Sequence, residues 1–172
     1  MEDWIIRETF APVLDFYLAH PQWKVTFEMQ AYMVEIMAQR HPETLVKLRE
    51  ATQKGIVEIV SFHYSDQLFL AYPTLDMERS YELTQSIFNE ICVPLSPVVF
   101  NQEGQAGEGR HKFMKDHGYS IAVFPKNLWR YIRGESTAWQ PWYKNHGVDV
   151  VIGPGSPDPA SGYQVDWVFF DD

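Results

Sequence analysis

The chain has 172 residues, of which 45% are hydrophobic and 15% aromatic, enough apolar surface for one packed domain. A net charge of -9, with no lysine- or arginine-rich stripe to offset it, argues against nucleic acid as a partner. The single cysteine, Cys92, excludes an internal disulfide, and neither a secretory signal nor an apolar run of about 18 residues is visible. A reducing cytoplasm and no membrane association are therefore expected.

In chain order, Trp4, Ile5, Val13, Leu14, Tyr17 and Leu18 recur at helical spacing, with Pro12 expected to bend or restart the helix before His20-Pro21 ends it. Residues 23–28 alternate apolar and polar as a strand, and Tyr32, Met33, Ile36 and Met37 share one face of the next helix. A further helix starts near Pro42 and stops at Gly55, where residues 56–62 begin a buried strand. Asp76 is positioned to cap a helix carrying Met77, Tyr81, Phe88 and Ile91, which leads to a short strand at residues 97–100. Phe113 and Met114 face inward on a helix closed by Gly118. Residues 119–124, 148–152 and 163–170 read as three more strands, and residues 129–147 show no clear period.

Strands and helices thus alternate at crossover spacing, the pattern of a parallel sheet with helices outside. No GxGxxG or GxxxxGK[ST] loop follows any strand, which favours a barrel over a nucleotide-binding sheet. Residues 154–162, rich in proline and glycine, read as a loop within the same domain.

In such folds ligands bind at the carboxyl ends of the strands. The leading candidate is Glu103, where the apolar run ending at Phe100 breaks into a glycine-rich turn; Glu108 lies in the same turn, nearer the next helix. Parallel strands would bring Glu28, then His63, Tyr64 and Asp66, then Asn101, Gln102 and Glu103, then Lys126 and Asn127, and finally Asp171 and Asp172 to one face. Two carboxyl groups in unlike environments can act as an acid and a nucleophile on a glycosidic bond. His63 and Asp66 with Asp171 or Asp172 also offer nitrogen and oxygen donors to a metal, but no HExxH or paired-cysteine motif accompanies them, and neither metal nor cofactor is expected.

Trp129, Tyr131, Trp139, Trp142 and Tyr143 crowd one stretch, suited either to stack on sugar rings in a groove or to fill a core. Glu58, in mid-strand, is either an inward carboxylate beneath the site or a residue of a half-exposed strand. His41, His117 and His146 are expected as solvated residues at element boundaries, and His111, in the first turns of a helix, is expected at the surface, with the alternative that it faces the site.

Three segments resemble glycoside hydrolase family 57, itself more distantly similar to the family 38 α-mannosidases. Residues 54–64, with Gly55, Glu58, His63 and Tyr64, resemble its second conserved region; residues 100–103, Phe-Asn-Gln-Glu, resemble the third; and residues 168–172, Val-Phe-Phe-Asp-Asp, resemble the start of the fourth. The resemblance implies an α/β fold, an incomplete seven-stranded parallel (β/α) barrel over residues 1–172, lacking a first strand with a His-Gln-Pro signature and a C-terminal continuation. It implies retaining hydrolysis of, or transfer from, α-glucans or related α-glycosides, with an oligo- or polysaccharide as the partner. Glu103 would be the nucleophile and Asp171 or Asp172 the acid and base. Glu28, His63, Tyr64, Asp66, Gln102, Trp129 and Trp142 are expected to contact substrate. Two alternatives stay open: a catalytically inactive carbohydrate-binding remnant, and a metal-dependent polysaccharide deacetylase, whose strand-end aspartate pair Asp171-Asp172 resembles.

Overall fold

A computed structural model of the chain describes residues 1–65, 72–100, 109–125 and 140–153. It divides into two compact units, Met1–Ser96 and Pro97–Asp172.

The first unit opens with α1 (Glu2–Ile5), a π-helical turn (Ile6–Phe10) and α2 (Ala11–Ala19). The wide turn falls just ahead of Pro12, which lacks the N–H that an α-helix would aim at the carbonyl of residue 8 and whose ring would crowd it. Proline thus changes the winding without ending the helix. Ile6 and Leu14 are fully buried, with Phe10, Tyr17 and Leu18 packed against the same core. Trp4 and Val13, expected on the apolar face, are 61% and 36% exposed, because the inward stripe runs one residue out of step with them.

Strand β1 (Val25–Glu28) pairs in parallel with β2 (Val57–Val60), Val25 opposite Val57 and Glu28 opposite Val60. Val25, Phe27, Val57 and Ile59 belong to the core with α3 (Ala31–Arg40), α4 (Pro42–Gln53) and α5 (Thr74–Glu90). Across the sheet, Thr26, Glu28 and Glu58 are exposed. Helix α5 begins at Thr74, so Asp76 lies in its first turn and not at the cap; its buried positions are Ser80, Thr84 and Phe88. Small hydroxyl residues are tolerated there because Thr84 Oγ1 donates to the Ser80 carbonyl at 2.8 Å, satisfying itself within the helix.

The second unit holds β3 (Val98–Phe100), α6 (Arg110–Asp116), β4 (Ile121–Pro125), β5 (Trp142–Asn145) and β6 (Val148–Gly153) in one sheet of order β3-β4-β6-β5. β3, β4 and β6 run parallel, as the alternation of elements predicts. β5 is antiparallel to β6 and falls in the stretch that showed no period. The hairpin turns through His146 and Gly147, with φ of 49° and 83°, the left-handed pair that matches the twist of the flanking strands. Val99, Ala122 and Val150 stand in register on the buried face, with Phe124, Ile152 and Met114 of α6 also buried. The strand predicted at residues 163–170 lies outside the described residues.

Three helices enter the following segment in the same way. After α4, the Gly55 N–H reaches the Thr52 carbonyl and the Ile56 N–H the Ala51 carbonyl; after α5, Cys92 reaches Asn89 and Val93 reaches Phe88; after α6, Gly118 reaches Lys115 and Tyr119 reaches Met114. Each pair of bonds is a Schellman motif, closed by a residue of positive φ: 61° at Gly55, 55° at Cys92 and 83° at Gly118. The next residue, Ile56, Val93 or Tyr119, is buried in each case. The motif therefore turns the chain and anchors it in one step.

Candidate active site at the strand ends

In the first unit, the site is built from the joined ends of β1 and β2. The parallel ladder continues past both strands, with the Met29 N–H donating to the Val60 carbonyl at 3.0 Å. Beyond it, the Ala31 and Tyr32 N–H groups donate to the carbonyls of His63 and Tyr64 at 3.2 and 2.7 Å. The first turn of α3 needs such acceptors, since Gln30 provides no side-chain cap. The backbone of His63 and Tyr64 is thus pinned from one side by α3. From the other, the Tyr64 N–H donates to Ser80 Oγ at 2.9 Å.

Three of the expected substrate contacts come together here. Glu28 is exposed at the tip of β1. His63 is only 8% exposed, its ring edge-on to Phe62 at 4.9 Å. Tyr64 is half-buried; its hydroxyl donates to Glu35 Oε2 at 2.9 Å and its ring lies edge-on to Tyr32 at 5.9 Å. The bond to Glu35, helped by burial, pushes the Tyr64 phenol above its ordinary value, keeping it neutral as a donor. Glu58 follows the half-exposed reading: Ser96 Oγ donates to its Oε1 at 2.7 Å and Thr26 Oγ1 to its Oε2 at 3.3 Å.

In the second unit, Trp142 is 61% exposed at the start of β5, which runs against β6 with Trp142 opposite Val151. Its indole N–H donates to Asp149 Oδ1 at 3.2 Å, and Lys144 Nζ lies 3.2 Å from the same carboxylate. Phe100, Val123, Val151 and Trp142 stand in one register row across the sheet. Of the crowded aromatics, Trp142 is thus clearly not core, while Tyr143 is half-buried.

The opposite face holds a residue that sequence reasoning missed. Arg110 is 4% exposed with its guanidinium 4.2 Å over the Phe124 ring, and burial pushes its pKa down to about 9, still charged at neutral pH. His111, expected at the surface, is 3% exposed, with Nδ1 3.0 Å from the Asn145 amide; it faces the sheet because α6 packs on β6. His41 is likewise buried at 8%, since Asp3 Oδ1 lies 2.9 Å from its Nε2 and replaces water there. His117 is half-buried and stacked on Phe113, whereas His146 is exposed.

Glu103, Gln102, Glu108, Asp66, Trp129, Asp171 and Asp172 lie outside the described residues. Among the described residues no group of three or more His, Cys, Asp or Glu side chains is placed to hold a metal ion, and no helix is long and apolar enough to cross a membrane.

No family model matches the chain, and no curated protein does. Solved structures do. The 4-α-glucanotransferase of Thermococcus litoralis superimposes with a TM-score of 0.72 at 17% identity, over 88% of this chain and 24% of that one. A family 38 glycosyl hydrolase of Enterococcus faecalis gives 0.59 at 14% identity, over 82% and 15%, and a Mycobacterium smegmatis protein described as a polysaccharide deacetylase gives 0.56 at 18%, over 85% and 45%. The chain shares their fold. It spans about a quarter of the length of the glucanotransferase.

Proposed function

We propose that the chain is the catalytic part of a carbohydrate-active enzyme, a single partial barrel domain that acts on α-glucans or related α-glycosides with retention of configuration. The observation that carries the reading is the fold likeness to the glucanotransferase over 88% of this chain, together with the Phe-Asn-Gln-Glu segment that starts on the last residue of β3. Glu103 stands three residues beyond Phe100, the last residue of β3. In that position it attacks the anomeric carbon, while Asp171 or Asp172 protonates the leaving oxygen and then activates water or an incoming sugar hydroxyl. Glu28, His63, Tyr64, Asp66 and Gln102 hold sugar hydroxyls, and Trp129 and Trp142 offer ring faces to the apolar side of a sugar.

The test is Glu103→Gln, an exchange of nearly equal size. Loss of sugar release from an aryl α-glycoside, with an unchanged circular dichroism spectrum, is the expected result; wild-type turnover in that variant would remove Glu103 as the nucleophile. The likeness to the deacetylase fold supports a second reading, metal-dependent deacetylation of a polysaccharide. Chelation separates the two, since acetate release lost on chelation and restored by a divalent metal belongs to the deacetylase alone.

A further inference from the structure

At the opposite end of β1 from Glu28, three rings form a cluster that the proposed site does not use. Phe16 on α2, His20 just after it and Trp23 before β1 lie 4.7 to 5.4 Å apart by ring centroids, with His20 and Trp23 stacked at 25°. Phe16 is 43% and Trp23 53% exposed, so the rings pack on one another while leaving their outer faces to solvent. The cluster is held rigidly. The Trp23 N–H closes a turn on the His20 carbonyl at 3.0 Å, with Pro21 fixing the turn's second position, and the His20 N–H is spent on the end of α2. Five residue steps separate Trp23 from Glu28 at the β1 tip, about 16 Å of extended chain.

We propose that Phe16, His20 and Trp23 form a second saccharide-binding platform, a non-catalytic contact for a neutral glucan chain at the amino-terminal end of β1. This rests on the carbohydrate-active reading and adds to it a site at which no bond is cleaved. Three features select the occupant. A pre-stacked indole offers a flat apolar face to sugar C–H groups without having to be ordered on binding. Exposed Gln22 and Lys24 flank Trp23 with donors for hydroxyls. The net charge of -9 repels anionic polymers and leaves a neutral saccharide unopposed.

The experiment measures binding of maltoheptaose and of soluble amylose by the full 172-residue chain carrying Glu103→Gln, by native gel retardation and by quenching of indole fluorescence. With Trp23→Ala added, affinity should fall about tenfold, the equivalent of one lost stacking contact. Trp23→Phe should recover part of it, and release of nitrophenol from a small aryl α-glycoside by the chain with Glu103 restored should be unchanged by Trp23→Ala. Equal glucan affinity with and without Trp23, or no glucan binding at all, overturns the platform. So does concentration-dependent dimerisation in sedimentation that Trp23→Ala abolishes, which would make the cluster an interface between two copies of the chain. Because binding is read separately from turnover, the platform and the Glu103 assignment fail independently.

Discussion

The Tyr64 hydroxyl donates to the Glu35 carboxylate at 2.9 Å, tying the segment after β2 to the second turn of α3. The backbone of the same residue accepts from Tyr32 and donates to Ser80, so one side chain and two backbone groups are fixed by two helices. Removing the hydroxyl with Tyr64→Phe leaves Glu35, among the described residues, with the Gln39 amide at 3.3 Å. The expected loss is about 1 kcal/mol, the lower range for a bond to a charged group because the pair is partly solvated. The pH dependence has a definite sign. A phenol whose folded pKa is raised contributes stability fully below its ordinary value of 10.0, and that contribution is lost as pH rises through the higher folded value. Urea unfolding should therefore show a wild-type advantage over Tyr64→Phe at pH 8 that shrinks above pH 10, and an advantage constant with pH would refute the linkage.

Arg110 makes a stricter demand on its position. A guanidinium lying 4.2 Å over Phe124 gains from its planar, weakly hydrated form, and lysine offers neither property. Arg110→Lys is expected to cost about 1 to 2 kcal/mol in chemical denaturation. Desolvation pushes the arginine down only to about 9, but the same burial acts on an amine of lower intrinsic pKa, so the variant should regain stability as pH rises from 7 to 9. A variant as stable as the wild type at neutral pH would show that the stacking contributes nothing.

Much of this architecture was legible in the residues. Gly55 and Gly118 announced helix ends because only glycine takes positive φ freely, and the alternation at β1 named the face that carries Thr26 and Glu28, while Glu58 in the apolar run of β2 stayed open between two readings. The strand tips at Glu28 and His63-Tyr64 followed from the same pattern. What was not legible depends on contacts distant in sequence. Nothing local distinguishes a buried His41 or His111 from a solvated one; Asp3 and Asn145 decide it from 38 and 34 residues away. β5 was hidden because an edge strand half open to water, reading Trp-Tyr-Lys-Asn, carries a weak apolar alternation. Cys92 was hidden because a left-handed helix closure is normally read from glycine.

That closure yields a paired prediction. Cys92 occupies, at φ 55°, the place that Gly55 and Gly118 fill in the other two Schellman motifs, and a side chain in this conformation costs roughly 1 kcal/mol through contact of its Cβ with the backbone. Cys92 is also exposed, so its removal sacrifices little packing. Glycine relieves the strain but adds freedom to the unfolded chain, an opposing effect of about 0.5 kcal/mol. Cys92→Gly should accordingly stabilise the protein by about 0.5 kcal/mol, read as a higher urea midpoint with an unchanged slope. The mirror substitution, Gly55→Ala, meets no atom within 4 Å, so any loss there comes from backbone conformation alone. It should destabilise by about 0.5 kcal/mol, the same strain less the same unfolded-state offset. Opposite signs at two sites with the same hydrogen-bond pattern would establish that the left-handed residue, and not the space around it, sets the cost; a destabilising Cys92→Gly would instead show that the thiol side chain contributes packing at the end of α5.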